Sequence, residues 1–473
     1  MKAKLTILLL ALLGYSCASY YQVNQKFNRL FEAGELEKAD RVLAEKKKAS
    51  EGKARLLYYL NRGVVAAMRG AYEESNQFFE QAYVLGEDLR NNYWTVASSY
   101  LVNPLFSNYT GEDHELLLIH YYKALNFLQL GDTPSALVEC RRLNVKLNKF
   151  AGKYPVGNSL KYRRDAFVHT LMGLIYDAAG DDNNAFIAYR NAVDIYEEDY
   201  QPLFGIAAPQ QLKEDLLRTA HRMRFTTELT RYEEKFGMKY QPTPAGGGDL
   251  VFFWNNGLGP VKSEWGVNFA LVRGAGGLVN FTNEQYGWSF PFHLSSDEEY
   301  EEKGLSRLEF IRVAFPAYQE RPVYYEQATI KTQDASFALQ KAQDINAIAF
   351  QGLQQRMLRE FGSSLLRVAL KKSAEYGVRE QNNDLGALLG AVNALTERAD
   401  TRNWQTIPHT IHYRRVPLPE GEQQVRLEVK RPDQTQTHEF SFLVKKNRTL
   451  FCAFQSLEAS PYPAFRDGFY VAP

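Results

Sequence analysis

A glycine that closes a turn between two helices recurs through the first half of this chain, and no other feature limits the fold as much. In Tyr59–Leu85 (YLNRGVVAAMRGAYEESNQFFEQAYVL), Gly63 falls on a first helix, Gly70 and Tyr72 form the turn, and Phe79 and Ala82 fall on a second helix. The turn and second helix return at Gly34, Leu36, Ala39 and Leu43, and again at Gly131, Ala136 and Cys140. The fullest copy is Met172–Tyr196, with Gly173, Tyr176, Gly180, Ala185, Tyr189 and Ala192 in register. A small residue on the first helix lets its antiparallel partner approach, and large apolar residues on the second helix fill the groove. One such pair cannot bury its apolar faces alone, so pairs must stack.

These spacings resemble tetratricopeptide repeats (TPR). The turn glycines stand 36, 61 and 49 residues apart, against about 34 in an ideal repeat, so the array is degenerate and holds insertions such as 91–113. A generic helical bundle with glycines at its turns is the alternative. Stacked pairs make a superhelix with a concave groove lined by first helices, and such a groove is expected to take a protein segment. Tyr58, Asn61, Tyr121, Tyr122 and Asn126 are the expected lining, with ordinary packing as the alternative for Tyr121 and Tyr122. Cys140 falls on a packing position and reads as a small buried hydrophobe.

The N-terminus reads MKAKLTILLLALLGYSC. Lys2 and Lys4 precede an apolar run, Leu5–Leu13, too short for a bilayer that needs about 20 residues. Small residues then lead to Cys17. The segment resembles a bacterial lipoprotein signal, 1–16, with Cys17 as the lipidated residue; Tyr15 departs from the usual small residue there. A plain secretory signal with an incidental cysteine is the alternative. Ala18 and Ser19 follow Cys17, and no Asp does, so the expectation is a lipid anchor in the outer membrane, on the periplasmic side. Removing the signal takes two lysines from the 56 basic residues, leaving 54 against 55 acidic and a formal charge of −1.

The helical pattern runs to about residue 240, with Leu203–Gly237 read as continuing helix. Gln241–Gly248 (QPTPAGGG) breaks it and is the expected linker. From 249 to 473 the period changes. Leu250–Trp254, Gly266–Val272, Phe310–Phe315 and Pro322–Ile330 read as strands. Ile348, Leu353, Met357, Phe361, Leu365 and Val368 mark one face of a long helix from Asp344 to Tyr376. A shorter helix follows at Asp384–Ala399, completing a hairpin over about 338–400. The tail, 405–473, returns to strands and reads as a small β-sandwich; its Pro419-Glu420-Gly421 turn resembles PEGA-type envelope modules. The expected fold is therefore multidomain: an all-α TPR-like superhelix at 17–240, then an α+β domain with a long helical hairpin and a β-sandwich-like C-terminal part.

Chemistry is sparse. No GxSxG elbow, HExxH helix, CxxC pair or phosphate loop occurs. The eight histidines form no Cys/His cluster, and His409 and His412 fall on opposite faces of a strand. No metal and no cofactor are expected. A near-neutral balance of 56 basic and 55 acidic residues offers no field for nucleic acid, and three cysteines cannot build a disulfide framework.

Several segments of the second half look familiar together: Gly257–Lys262 (GLGPVK), Val313–Pro316 (VAFP), Asp344–Phe350, and Glu397–Trp404 (ERADTRNW). Following degenerate repeats and a lipobox, they resemble a family of bacterial TPR lipoproteins. Its members in proteobacteria tend to be encoded beside lipoproteins similar to penicillin-binding-protein activators, which implies an envelope role by association. The resemblance carries no catalytic residues. Asp400, Arg402 and Trp404 are expected to be structural, with Asp400 pairing Arg402 and Trp404 sealing the hairpin against the sheet. The expected function is a non-enzymatic scaffold, tethered at Cys17, that takes envelope proteins in its groove. Two alternatives stand: a SusD-like glycan-binding lipoprotein, and an envelope hydrolase using His293, Glu299 and Glu301.

Overall fold

The computed structural model of the chain describes residues 20, 24–96, 107–151, 164–242, 246–274, 278–285, 287–293, 309–381 and 398–458. Cys17, Glu299, Glu301 and nearly all of the second hairpin helix lie outside them.

Helices come in antiparallel pairs. The first is α1 (Gln25–Glu32) with α2 (Leu36–Glu45), and the second is α3 (Arg55–Met68) with α4 (Tyr72–Val96). Next come α5 (Asp113–Gln129) with α6 (Thr133–Ala151), and α7 (Ala166–Ala178) with α8 (Asp182–Ile195). The turn residues Gly34, Gly70, Gly131 and Gly180 have φ of 72°, 77°, 76° and 78°. Each turn is closed by the same two backbone bonds. At Gly70, for example, its N–H donates to the Ala67 carbonyl and the Ala71 N–H to that of Ala66. This left-handed cap favours glycine because a Cβ is strained there.

The small-on-large contacts are present. A Cβ on Gly63 would stand 2.7 Å from the Phe79 ring, and one on Gly173 closer still to the Tyr189 ring. Ala82, Ala136, Ala185 and Ala192 are fully buried. Tyr72 and Tyr176 are half-buried, and the Tyr176 hydroxyl accepts a bond from Arg141 at 3.0 Å.

A fifth pair stands where the sequence reads as continuing helix. α9 (Gln210–Arg222) and α10 (Thr226–Phe236) are joined by the same turn. The Arg224 N–H donates to His221 and the Phe225 N–H to Ala220, and Arg224 has φ of 56°. The turn hides from a search for glycines because an arginine occupies the left-handed position.

Among the described residues, the second half builds three four-stranded sheets. β1 (Gly247–Asn256) starts inside the expected linker. It pairs parallel with β12 (Thr449–Ser456) and antiparallel with β9 (Thr410–Pro419), which pairs with β8 (Gln340–Asp344). A second sheet runs in the order β11 (Gln434–Val444), β10 (Gly421–Arg431), β6 (Gln327–Lys331), β7 (Ser336–Ala338). A third runs β4 (Trp288–His293), β3 (Leu278–Asn283), β2 (Val261–Arg273), β5 (Phe310–Gln319).

Register explains the layers. Leu250, Phe252 and Trp254 of β1 stand opposite Val416, Arg414 and His412 of β9, and the apolar members of this face pack on Val425, Leu427 and Val429 of the second sheet. The alternate residues Val251 and Phe253, opposite Arg415 and Tyr413, join the helical core. β1 is thus covered on both faces, which is why it reads as a continuous apolar run and not as an alternation. The sandwich is not confined to 405–473: four of its eight strands precede the long helix.

The long helix expected from Asp344 is α11 (Ile345–Gln381), which follows β8 directly. Asp344 caps it by accepting the Ala347 N–H at 2.8 Å. Its Leu365, Val368 and Ala369 pack on Val267, Phe269 and Phe315 of the third sheet. Among the described residues no helix is long and apolar enough to cross a membrane.

The turn geometry sets two opposite expectations for urea unfolding of the full chain. Gly63→Ala should cost about 1–3 kcal/mol, because the Phe79 ring must move from a packed site. Arg224→Gly should gain up to about 1 kcal/mol by relieving the left-handed arginine.

Candidate functional site

The groove is the site the sequence singles out, and its own chain fills it. One apolar core holds Phe27, Leu60, Phe79, Tyr122 and Tyr189 of the helices together with Val251, Phe253, Trp404, Ile407 and Tyr413 of the sheet half. Residues 403–407, shortly before β9, run across the first helices, and Trp404 is fully buried. Its ring lies 5.8 Å from Tyr122 and 6.0 Å from Phe79.

Each of the five first helices makes a polar contact with the sheet half. On α1, Asn28 donates to the Gln405 side chain at 3.0 Å. On α3, the Asn61 oxygen accepts from the Thr406 hydroxyl at 3.0 Å. On α5, the Tyr121 hydroxyl donates to Asn255 at 2.8 Å. On α7 and α9, Asp177 and Asp215 take Arg415 at 2.7 and 2.8 Å.

Two buried polar knots lock the halves. In the first, Glu115 is fully buried and accepts the Trp404 N–H at 2.6 Å, the Tyr109 hydroxyl at 2.6 Å and the Glu112 N–H at 3.0 Å. Glu112 and Glu115 form the capping box of α5, so local helix chemistry sets the carboxylate that receives the crossing segment. Burial pushes the Glu115 pKa up, and the Glu112 carboxylate adds to the rise. Lys262 pairs with Glu112, and its N–H donates to Asn403 at 3.2 Å.

In the second knot, the Arg415 guanidinium meets Asp177, Asp215 and, at 3.1 Å, Asp249 of β1. Arg218 bonds Asp215 at 2.8 Å and also pairs with Asp177, and Arg222 bonds Asp177 at 3.0 Å. Burial would raise the pKa of Asp177, but Arg415 and Arg218 override it and hold the carboxyl well below its ordinary range.

The expected lining residues now have definite places. Asn61, Tyr121 and Tyr122 are buried against the sheet half, and Asn126 binds Ser75 and Asn76 of α4 at 2.8 and 3.0 Å. Tyr58 is half-buried and accepts a bond from Arg62 at 3.2 Å. The groove expected to hold a separate protein segment therefore holds residues 403–407, because the apolar first-helix faces are covered from within the chain. Asp400 pairs with Arg402 at 2.7 Å. Arg402 also reaches the carbonyls of Lys53 and Ser107 at 3.2 and 3.0 Å. Trp404 packs in the core of the helix array. Asp177, Asp215, Glu115 and Arg415 escape a search for chemical motifs. For the three carboxylates the one signal is an acidic residue on an otherwise apolar helix face, as Asp177 in LIYDAAG.

His293 ends β4. The His409 ring bonds Glu320 at 2.9 Å, and His412 lies 4.7 Å from the Trp254 ring. Among the described residues, no three His, Cys, Asp or Glu converge as metal ligands. Cys140 and Cys452 are both free, in different cores on opposite faces of β1.

The helical half is TPR-like. Solved structures similar to it include MamA, 13% identical over 46% of this chain and 92% of that one, with a TM-score of 0.29. A Podosopora anserina putative kinesin light chain with TPR-like repeats is 14% identical over 46% of this chain and 92% of its own, at 0.30. A tetratricopeptide repeat protein from Parabacteroides merdae is 13% identical over 47% of this chain and 81% of its own, at 0.20. At such scores the repeat assignment rests on the turn geometry above and not on the likeness. No protein-family profile and no curated protein matches the sequence.

The second knot sets a pH dependence. A carboxyl whose pKa is lowered by folding stabilises above its unfolded value, about 3.9, and that stability is lost as pH falls through and below it. Asp177→Asn should cost about 3–5 kcal/mol at pH 7 by leaving buried guanidinium groups short of charge. The variant's acid-unfolding curve, followed by circular dichroism, should be flatter below pH 4 than the parent's. Trp404→Ala should cost about 3–5 kcal/mol without that change of slope.

Proposed function

We propose that this protein is a non-enzymatic interaction scaffold held at the cell envelope by an acylated Cys17, and that it meets partners on the outer side of its helix array. What carries the reading is that the concave side is already occupied while the outer helices carry a periodic apolar row. Val84 of α4, Val138 and Val145 of α6, and Ile187 of α8 are 50%, 43%, 67% and 37% exposed. Counted from the turn glycines, Val138 and Ile187 hold one repeat position, and Val84 and Val145 another two turns further on. Arg142 reaches Glu80 at 3.7 Å and Lys146 reaches Glu87 at 3.0 Å, so α6 lies beside α4 with these positions near one another. Scattered apolar residues are ordinary on a surface, but a contiguous row is the usual mark of an interface.

The lipobox and the resemblance to bacterial TPR lipoproteins support the envelope placement, with the outer membrane, periplasmic side, as the expected address. Cys17→Ser should move the protein from the membrane fraction to the soluble envelope fraction. A photo-crosslinking amino acid at Val138 or Val145 in living cells should give discrete adducts, while one at Tyr58, beside the filled groove, should give none. Adducts at Tyr58 with none at the two valines would overturn the outer-face reading.

A further inference from the structure

Among the described residues, three sheets leave six edge strands, and five of them are protected in recognisable ways. β7 has three residues. β8 carries a register shift between Lys341 and Gln343. β12 is held from α5 by Gln129, which donates to the Phe451 carbonyl at 2.9 Å. β4 contains Pro291 and β5 contains Pro316. Short length, bulges, cover and proline are the usual devices that stop an edge from recruiting another strand.

β11 has none of them. It is eleven residues long, QTQTHEFSFLV, and pairs with β10 without a bulge over Gln434–Val444. It contains no Pro, Lys or Arg, and its one carboxylate, Glu439, faces Arg426 of β10 at 3.2 Å. Among the described residues it is hydrogen-bonded on one side only. The side of the sandwich that it borders is also imperfectly closed. Phe440, Phe442 and Phe454 are half-buried there, while Leu443, on the outer face of the sheet, is 62% exposed.

We infer that the free edge of β11 pairs with the same strand of a second copy of this chain, joining the two β11-containing sheets antiparallel across a two-fold axis. The sequence of β11 is what selects its own copy. In a continuous antiparallel sheet, opposed side chains share a face. A two-fold centred on Phe440 sets that ring against its equivalent and His438 against Phe442 on the inner face. On the outer face it sets Glu439 against Ser441, a hydroxyl that can donate to the carboxylate, and Thr437 against Leu443. A centre one residue earlier would oppose Glu439 to itself and is disfavoured. The chosen register brings no like charges together and covers the half-buried rings, as an isologous interface requires.

The test is sedimentation equilibrium of the full chain in mild detergent, which keeps an acylated protein in solution. A concentration-dependent dimer is expected. Ser441→Glu sets two pairs of carboxylates against each other across the axis and should weaken the dimer about tenfold or more. Ser441→Lys instead sets each lysine against Glu439 of the second copy and should tighten the dimer, with the Glu439–Arg426 pair left intact. Ser441 and Glu439 are exposed, so an unchanged thermal melt shows that the variants fold. A monomer at all concentrations, a dimer indifferent to Ser441→Glu, or a dimer that Ser441→Lys weakens as Ser441→Glu does each overturns the self-pairing.

Discussion

A guanidinium buried among three carboxylates fixes how the two halves of this molecule meet. Arg415 extends from the strand beside β1 into the gap between α7 and α9, where Asp177 and Asp215 receive it. Such a cluster is a poor source of net stability, since each ion must leave water. Its value lies in how sharply it penalises error. A sheet displaced by one residue turns Arg415 to the sandwich side and leaves Asp177 and Asp215 with Arg218 and Arg222 alone, one buried cation short. The apolar contacts of Val251, Phe253 and Tyr413 tolerate small shifts, and the charges do not. Glu115 acts in the same way at the other end, where it binds the main-chain N–H of Trp404.

These locks permit β1 to be covered on both faces. A central strand needs a layer on each side, and one sheet-half alone supplies only the second sheet. The helix array is the other layer. The usual picture of a repeat superhelix and an attached domain therefore describes this chain poorly: the array is one of three packed layers, and its concave face is interior. Tyr189 serves both layers. It packs on Gly173 within its repeat, and its hydroxyl stands 3.3 Å from Asp177 and 3.4 Å from Arg415.

The repeats were legible in the sequence because their signal is local. Gly63, Gly173 and the turn glycines report a steric need within some twenty residues of chain. The fifth pair was not legible, because Arg224 fills the same backbone conformation without the residue that advertises it. The boundary was legible to within a few residues, since prolines and glycines end a helix whatever the tertiary context. What fills the groove was not. Asn61 and Tyr121 look alike whether they await a ligand or bind Thr406 and Asn255, and the decision rests on pairings more than 130 residues distant. The short strands β3, β4, β7 and β8 were missed for a related reason: a strand of three to six residues is defined by its neighbours more than by its own pattern.

Occupation of the groove also accounts for the uneven repeat spacing. In an open solenoid each repeat contacts only its neighbours, so pairs can be gained or lost with little penalty. Here each first helix is matched to a particular residue of the sheet half: Asn28 to Gln405, Asn61 to Thr406, Tyr121 to Asn255, Asp177 and Asp215 to Arg415. Deleting one pair would misplace every contact beyond it, so the number of pairs is held by the sheet. The connections between pairs are pinned at fewer points, at the carbonyls of Lys53 and Ser107 that Arg402 reaches and at Tyr109, which bonds Glu115. They run where added length costs only slowly rising loop entropy, and the turn glycines can stand 36, 61 and 49 residues apart while the turns themselves keep one geometry. The outer side of the array takes no part in these pairings, so a change of sequence there leaves the match to the sheet undisturbed.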